Sequence, residues 1–268
     1  MNLNVLVSTK EQFPAALDST ADVIYLETAF FPAFGWKEAA ERSHKAGKRI
    51  FPALPAVFRE DAVKYFTAEI GAFKSAGFDG VLSRNVEGML FMKEQGIDLP
   101  FISDHFAYLW NTESKAVLEE AGFSRFTVPA ELSKEELSAV TGPDTEIIAY
   151  GYLPMMVTAN CIKKTFRSCD KKSGKAVLTD RNGRNMTVLC QCLFCGNVIL
   201  NQVPLDLADR MKDLIRLSPG SLRLQFTVED ADAVRSVIRR FETALRTPEE
   251  TGRPDGPFTR GAFLHGIE

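Results

Sequence analysis

Short apolar, β-branched runs alternate with stretches of helical period along most of this chain, and that rhythm confines it to a mainly parallel sheet. Parallel strands cannot be joined by tight hairpins. Each needs a crossover of a dozen or more residues, so the strand–helix–strand spacing carries the topology. Strands are read at Leu3 to Val7, Val23 to Leu26, Arg49 to Leu54 and Gly80 to Leu82. Four more are read at Pro100 to Ser103, Phe126 to Val128, Glu146 to Tyr150 and Leu222 to Phe226. Helical segments fall between them near Glu11 to Leu17, Lys37 to Lys45, Asp61 to Lys74, Val86 to Lys93 and Glu113 to Ala121, with a last one at Glu229 to Leu245. Ser133 followed by Glu136 reads as a capping box opening a further helix.

Eight strand–helix units are the number that closes a (β/α)8 barrel. The first strand is not followed by a glycine-rich nucleotide turn, which argues against an open doubly wound sheet. The expected fold is therefore α/β, a TIM-like (β/α)8 barrel. The rhythm breaks for about seventy residues after the seventh strand, an insertion on the C-terminal face where barrel chemistry is built. Residues 1–150 are expected to hold the first seven strands and 151–220 a cysteine-rich insertion. Residues 221–268 should hold the last strand and helix, with a Pro- and Gly-rich tail from Thr247 running over the surface.

All five cysteines, Cys161, Cys169, Cys190, Cys192 and Cys195, lie inside that insertion. Five is odd, and a reducing cytoplasm disfavours structural disulfides, so metal binding or redox chemistry is the better reading. Thiolates suit zinc and iron–sulfur clusters alike, and spacing does not separate a catalytic centre from a zinc staple. Cys192 and Cys195 form a CxxC, but not at the start of a helix behind a strand as a thioredoxin-like dithiol requires.

The first residues, MNLNVLVSTK, lack the basic and apolar regions of a secretory signal, and no apolar run approaches the length of a membrane span. A cytoplasmic protein without membrane contact is expected. A net charge of -3 does not advertise nucleic-acid binding. The segment from Cys161 to Arg184 is nonetheless basic, with eight Lys and Arg against Asp170 and Asp180, and such a local surface can attract an anionic partner.

Polar residues just past the strand ends are the natural candidates for chemistry in a barrel. Asp104 with His105 could serve as acid–base machinery. Arg84, with Asn85 beside it, could clamp a carboxylate or phosphate in a bidentate fork, or form a rim salt bridge. Glu131 could touch substrate or cap the next helix, and Glu27 and Asn111 complete the set. His44, in a helical stretch, reads as solvated.

Several motifs resemble the peptidase U32, or collagenase-like protease, family. They are DGVLSRN (Asp79 to Asn85), VPAELS (Val128 to Ser133) and YGYLPMMVTANC (Tyr150 to Cys161). Further along come TDRNG (Thr179 to Gly183), CGNVILNQVPLDL (Cys195 to Leu207), RLQFTVE (Arg223 to Glu229) and FTRGAFLHG (Phe258 to Gly266). They keep their order over nearly the whole chain and look most like the second module of longer members. The resemblance implies a barrel-like catalytic domain whose cysteines bind a [4Fe–4S] cluster. Cys161, Cys169 and Cys195 match the family best, and the remaining ligand is Cys190 or Cys192, with Cys190 preferred. Where the terminal motif often carries His and Arg, this chain has Ala262 and His265.

The function so implied is an iron–sulfur-dependent, oxygen-independent hydroxylase acting on RNA or a small aromatic molecule, in company with a partner subunit of the same family. The alternatives are a collagenase-like peptidase and a non-catalytic module with a structural zinc. No GxSxG elbow or HExxH helix is present to support hydrolysis by a serine or zinc route.

Overall fold

Strands that receive helices on one side and lumen side chains on the other are buried on both faces, and these are. Val23–Glu27 and Thr145–Gly151 are buried at every residue. The computed structural model describes residues 1–167, 169–249 and 251–266. The first half of the chain runs β1 (Asn2–Val7), α1 (Phe13–Leu17), β2 (Val23–Glu27), α2 (Trp36–Lys45), β3 (Arg49–Ala53), α3 (Glu60–Ser75) and β4 (Val81–Ser83). It continues through α4 (Val86–Glu94), β5 (Phe101–Ser103), α5 (Thr112–Ala121), β6 (Arg125–Thr127), α6 (Lys134–Val140) and β7 (Thr145–Gly151). Next come β8 (Pro154–Thr158), α7 (Ile162–Thr165), β9 (Gly174–Thr179), β10 (Asn185–Gln191) and β11 (Gly196–Leu200). The chain ends with β12 (Leu205–Asp206), α8 (Met211–Leu217), β13 (Ser221–Gln225) and α9 (Ala231–Arg246).

Strands β1 to β7 pair in sequence order, β7 pairs with β13, and β13 returns to β1, all parallel. The eight-stranded barrel is closed. One buried cluster, Leu6, Val23, Tyr25, Phe51, Ala53, Leu82 and Ile102, contains no helix residue and fills the lumen. The alternate strand positions, such as Val5, Ile24, Ile50 and Val81, belong to the larger core shared with the helices. Trp36 is the anchor of that outer core, fully buried among Phe66, Phe73 and Phe78, with its indole N–H donated to the Phe31 carbonyl at 2.8 Å.

The interruption after β7 is a four-stranded antiparallel sheet in the order β8-β11-β10-β9. Its Leu189, Val198 and Leu200 pack with Phe30 and Val228 on the loops that follow β2 and β13, so the sheet sits over the C-terminal mouth. Phe194, in the turn between β10 and β11, wedges against Tyr65 and Phe66 of α3 at centroid distances of 5.5 and 5.8 Å. The chain then returns to the barrel wall: β12 pairs with the end of β7, and α8 packs beside α6 ahead of β13.

The tail is held more firmly than its composition suggests. Thr259 exchanges backbone hydrogen bonds with Pro204 and Asp206, and Phe263 is buried, because an aromatic ring with a cleft wall to fill gains more from burial than a solvated loop would. Glu250, Ile267 and Glu268 of that tail, and Ser168 of the cysteine segment, lie outside the described residues. Among the described residues no helix is long and apolar enough to cross a membrane.

The capping box forms at α6: the Ser133 hydroxyl accepts from the Glu136 N–H at 3.2 Å, and Glu136 accepts from the Ser133 N–H at 2.8 Å. Ser133→Ala should therefore lower stability by about 1 kcal/mol. In a chain of this size that is a fall of roughly 2–4 °C in melting temperature. An unchanged thermal midpoint would show that the box contributes nothing.

Candidate active site

Asp104 stands where β5 ends, fully buried, and three partners converge on it. His105 Nδ1 lies 2.9 Å from Asp104 Oδ1, which also accepts the His105 backbone N–H at 2.8 Å. Arg84 Nε donates to Asp104 Oδ2 at 3.0 Å. Arg223, from the middle of β13, reaches across the lumen to pair with Asp104 Oδ1. Burial alone would raise the Asp104 pKa, but Arg223, then His105 and Arg84, hold its carboxyl well below the usual carboxylate range. Asp104 is thus an anion and an acceptor only. His105 Nδ1 is therefore the donor of that pair.

Arg84 is saturated. Besides Asp104, its guanidinium donates to the Leu54 carbonyl at 3.1 Å and to Glu27 Oε2 at 2.7 Å. Burial works against its charge, yet the Glu27 and Asp104 carboxylates outweigh that and push its pKa above the ordinary value. Below this layer Glu146 accepts from Asn4 at 2.5 Å, and from Tyr25 and Ser221 at 3.2 Å, while Arg223 lies 3.4 Å from its other oxygen. Burial, and then the Glu146 charge, raise the Tyr25 phenol well above its usual pKa, so it stays a donor.

Of the residues singled out from sequence, Arg84, Asp104, His105 and Glu27 meet in one network. Asn85 is the N-cap of α4: its oxygen accepts from the Gly88 N–H at 2.7 Å and its amide donates to the Ala56 carbonyl at 3.0 Å. Asn111 likewise caps α5. His44 pairs with Asp79 on the surface at 2.9 Å. Glu131 joins His105 in the wall of a cleft of about 320 Å³, completed by Leu153, Met155, Asn201 and the tail residue Gly261. Glu131 Oε2 is buried and, among the described residues, has no hydrogen-bond partner.

Arg223, Glu146 and Asn4 are members that sequence reading missed, and Gln225 lies beside the network in a cavity wall. Their signal was a polar residue at alternate positions of an otherwise apolar strand, as in SLRLQ, where Arg223 and Gln225 alternate with Leu222 and Leu224. In a closed barrel those positions share the lumen.

The thiols are neighbours rather than a cage. Cys161 perturbs the thiols of Cys190, Cys192 and Cys195, and Cys169 that of Cys195, which places the sulfurs within electrostatic reach of one another. Burial first pushes all three of those thiols up; Lys163 opposes it at Cys190 and Cys192, and at Cys195 the Asp61 carboxylate adds to it ahead of the sulfurs. Cys190 is fully buried in β10, the Cys192 thiol meets the Lys172 carbonyl at 3.1 Å, and Cys195 bonds Asp61 of α3 from a left-handed backbone with φ of 48°. Among the described residues no three His, Cys, Asp or Glu side chains are gathered as a metal site. As they stand, the thiols do not fit a metal ion or a cluster.

A closed parallel barrel with its buried charges converging at the C-terminal strand ends is the arrangement that barrel enzymes use. Among solved structures, the native KDPGal structure superposes with a TM-score of 0.52, covering 92% of this chain and 95% of that one at 10% identity. Thiamine phosphate pyrophosphorylase from Pyrococcus furiosus gives 0.47 over 91% and 96% at 12% identity. The 3-hexulose-6-phosphate synthase from Salmonella typhimurium gives 0.46 over 91% and 99% at 13% identity. These likenesses are of fold. The chain itself belongs to Peptidase family U32, whose pattern matches residues 8–260.

Proposed function

We propose that this chain is a hydrolase that cleaves amide bonds in the cleft beside His105, with the Asp104–His105 pair as its acid–base machinery. The observation that carries the reading is that pair, buried at its carboxylate end and lining the large cleft at its imidazole end. His105 Nε2 takes a proton from water as the oxygen attacks the substrate carbonyl. Asp104 stabilises the imidazolium, which then returns the proton to the leaving amine as the C–N bond breaks. Glu131, with an unpaired oxygen in the same wall, accepts a substrate N–H. The Asn201 side chain, its carbonyl bonded to the Gln202 N–H at 2.8 Å, supplies its NH2 to the oxyanion. Family membership supports the same class. The test is cleavage of gelatin and of a mixed peptide library by purified protein, read by mass spectrometry. Cleavage that survives intact in the His105→Asn variant would reject the assignment.

A second reading is supported by the gathering of sulfurs around Cys161: an oxygen-independent hydroxylase of RNA or a small aromatic molecule. In it a [4Fe–4S] cluster would sit on Cys161, Cys169 and Cys195 with Cys190 or Cys192, and zinc on the same residues would give a structural module instead. Either requires the protonated thiols to deprotonate and the segment between α7 and β9 to rearrange. Oxygen-free preparations should then carry about four irons and four sulfides per chain. Stoichiometric zinc would select the structural module, and protein free of both metals would leave the hydrolase alone.

A further inference from the structure

Beneath the four-stranded sheet, at the centre of the barrel mouth, lies a small cavity of about 30 Å³. Glu27, Arg84, Gln225 and Thr227 line it from the barrel, and Leu189, Gln191 and Val198 from the sheet. Three of its polar side chains carry buried oxygens with no hydrogen-bond partner among the described residues: Glu27 Oε1, Gln225 Oε1 and Thr227 Oγ1. These residues are only 4, 4 and 6% exposed. Glu27 is the telling one, because its other oxygen is held by Arg84 while this one points at nothing. Orphaned buried acceptors are uncommon, and three around one void call for a donor.

The charge balance calls for the same occupant. Among the described residues Glu27 has one cationic partner, Arg84, and shares it with Asp104. Water would satisfy the oxygens but bring no charge to the Glu27 carboxylate. A cation answers both demands, and a buried charge is tolerated when it is paired and hydrogen-bonded. An ammonium group brings three N–H donors to three acceptors. The void has room for roughly two heavy atoms, since a water-sized occupant needs about 10–15 Å³ by this measure. Nitrogen and its attached carbon fill it, with the carbon against Leu189 and Val198. Pro154 lies in the wall of both this cavity and the larger cleft, so the two adjoin.

We infer that the cavity formed by Glu27, Gln225 and Thr227 binds the primary ammonium group of a small amine or of a chain N-terminus. For the hydrolase this selects substrates with a free amino end, a consequence that rests on the cleavage reading above; the amine site itself does not. The experiment is calorimetric titration of the full chain, without turnover, with methylammonium, tetramethylammonium, L-alanine amide and N-acetyl-L-alanine amide.

Methylammonium and alanine amide should bind, while tetramethylammonium and the acetylated amide should be at least tenfold weaker. Thr227→Val, nearly isosteric, should weaken alanine amide by roughly two- to tenfold, the worth of one hydrogen bond, in a protein that melts like the parent. Equal binding of the acetylated and free amides, competition by potassium chloride at the strength of methylammonium, or a crystal structure holding only water there at saturating methylammonium would each overturn the site. Cleavage of N-blocked peptides without amine binding would sink this inference and leave the hydrolase standing. Amine binding without any cleavage would do the reverse.

Discussion

A chain carrying Asp104→Asn should melt roughly 10 °C below the parent, the largest loss expected of any substitution that leaves side-chain volume unchanged. Asparagine fills the same space, so no cavity opens and the effect is electrostatic. Asp104 is fully buried and is the common partner of Arg84, Arg223 and His105. Removing its charge takes from two buried guanidiniums the carboxylate they share. Breaking a buried pair in this way costs about 3–5 kcal/mol, and in a chain of this size each kcal/mol moves the melting point by roughly 2–4 °C. The pH dependence has a definite sign. Asp104 titrates in the folded state well below its ordinary value of 3.8, so its contribution is fully present above that value and disappears only as pH falls further. The deficit of the variant should therefore be constant from neutral pH down to the ordinary carboxylate range, then shrink in stronger acid. Melting curves of both proteins across that range decide it, and a variant as stable as the parent would show that the network holds nothing together.

The second large effect is on rate. His105→Asn should lower kcat/KM for amide cleavage by roughly 10²–10⁴-fold, the usual contribution of a positioned general base. Asparagine can still donate to Asp104 but has no second nitrogen on which to carry the proton. Because the change removes proton transfer rather than contacts, the loss should fall on kcat, with KM nearly unchanged. A loss confined to KM would make His105 a binding residue, and the proposed chemistry would have to be placed elsewhere in the cleft.

The barrel was legible because its determinants are local. Each of the eight runs read as a strand is one, within two residues, and the capping box at Ser133 forms as its spacing requires. The junction of β5 with Asp104 and His105, and of β4 with Arg84, could also be placed, since residues just past a barrel strand have little choice but the mouth. Other readings stopped at identity. Asn85 looked as suited to chemistry as Arg84, one residue away, yet its oxygen caps α4 while Arg84 points inward. Nothing in the sequence around either residue separates the two outcomes, because one residue's step along the chain reverses the face.

What the amino-acid sequence determined on its own was a closed α/β barrel, its family and the residues available at its mouth. Periodicity, turn chemistry and caps act over a few residues and survive translation into structure. Only the tertiary structure decided which charges meet. Arg223 and Asp104 are 119 positions apart, and Asn4 and Glu146 are 142 apart. A polar residue in a strand apolar on both faces has no outward signal of its partner until the eighth strand returns to the first. Closure buries those side chains in one lumen, away from bulk solvent, and the charges must then find each other.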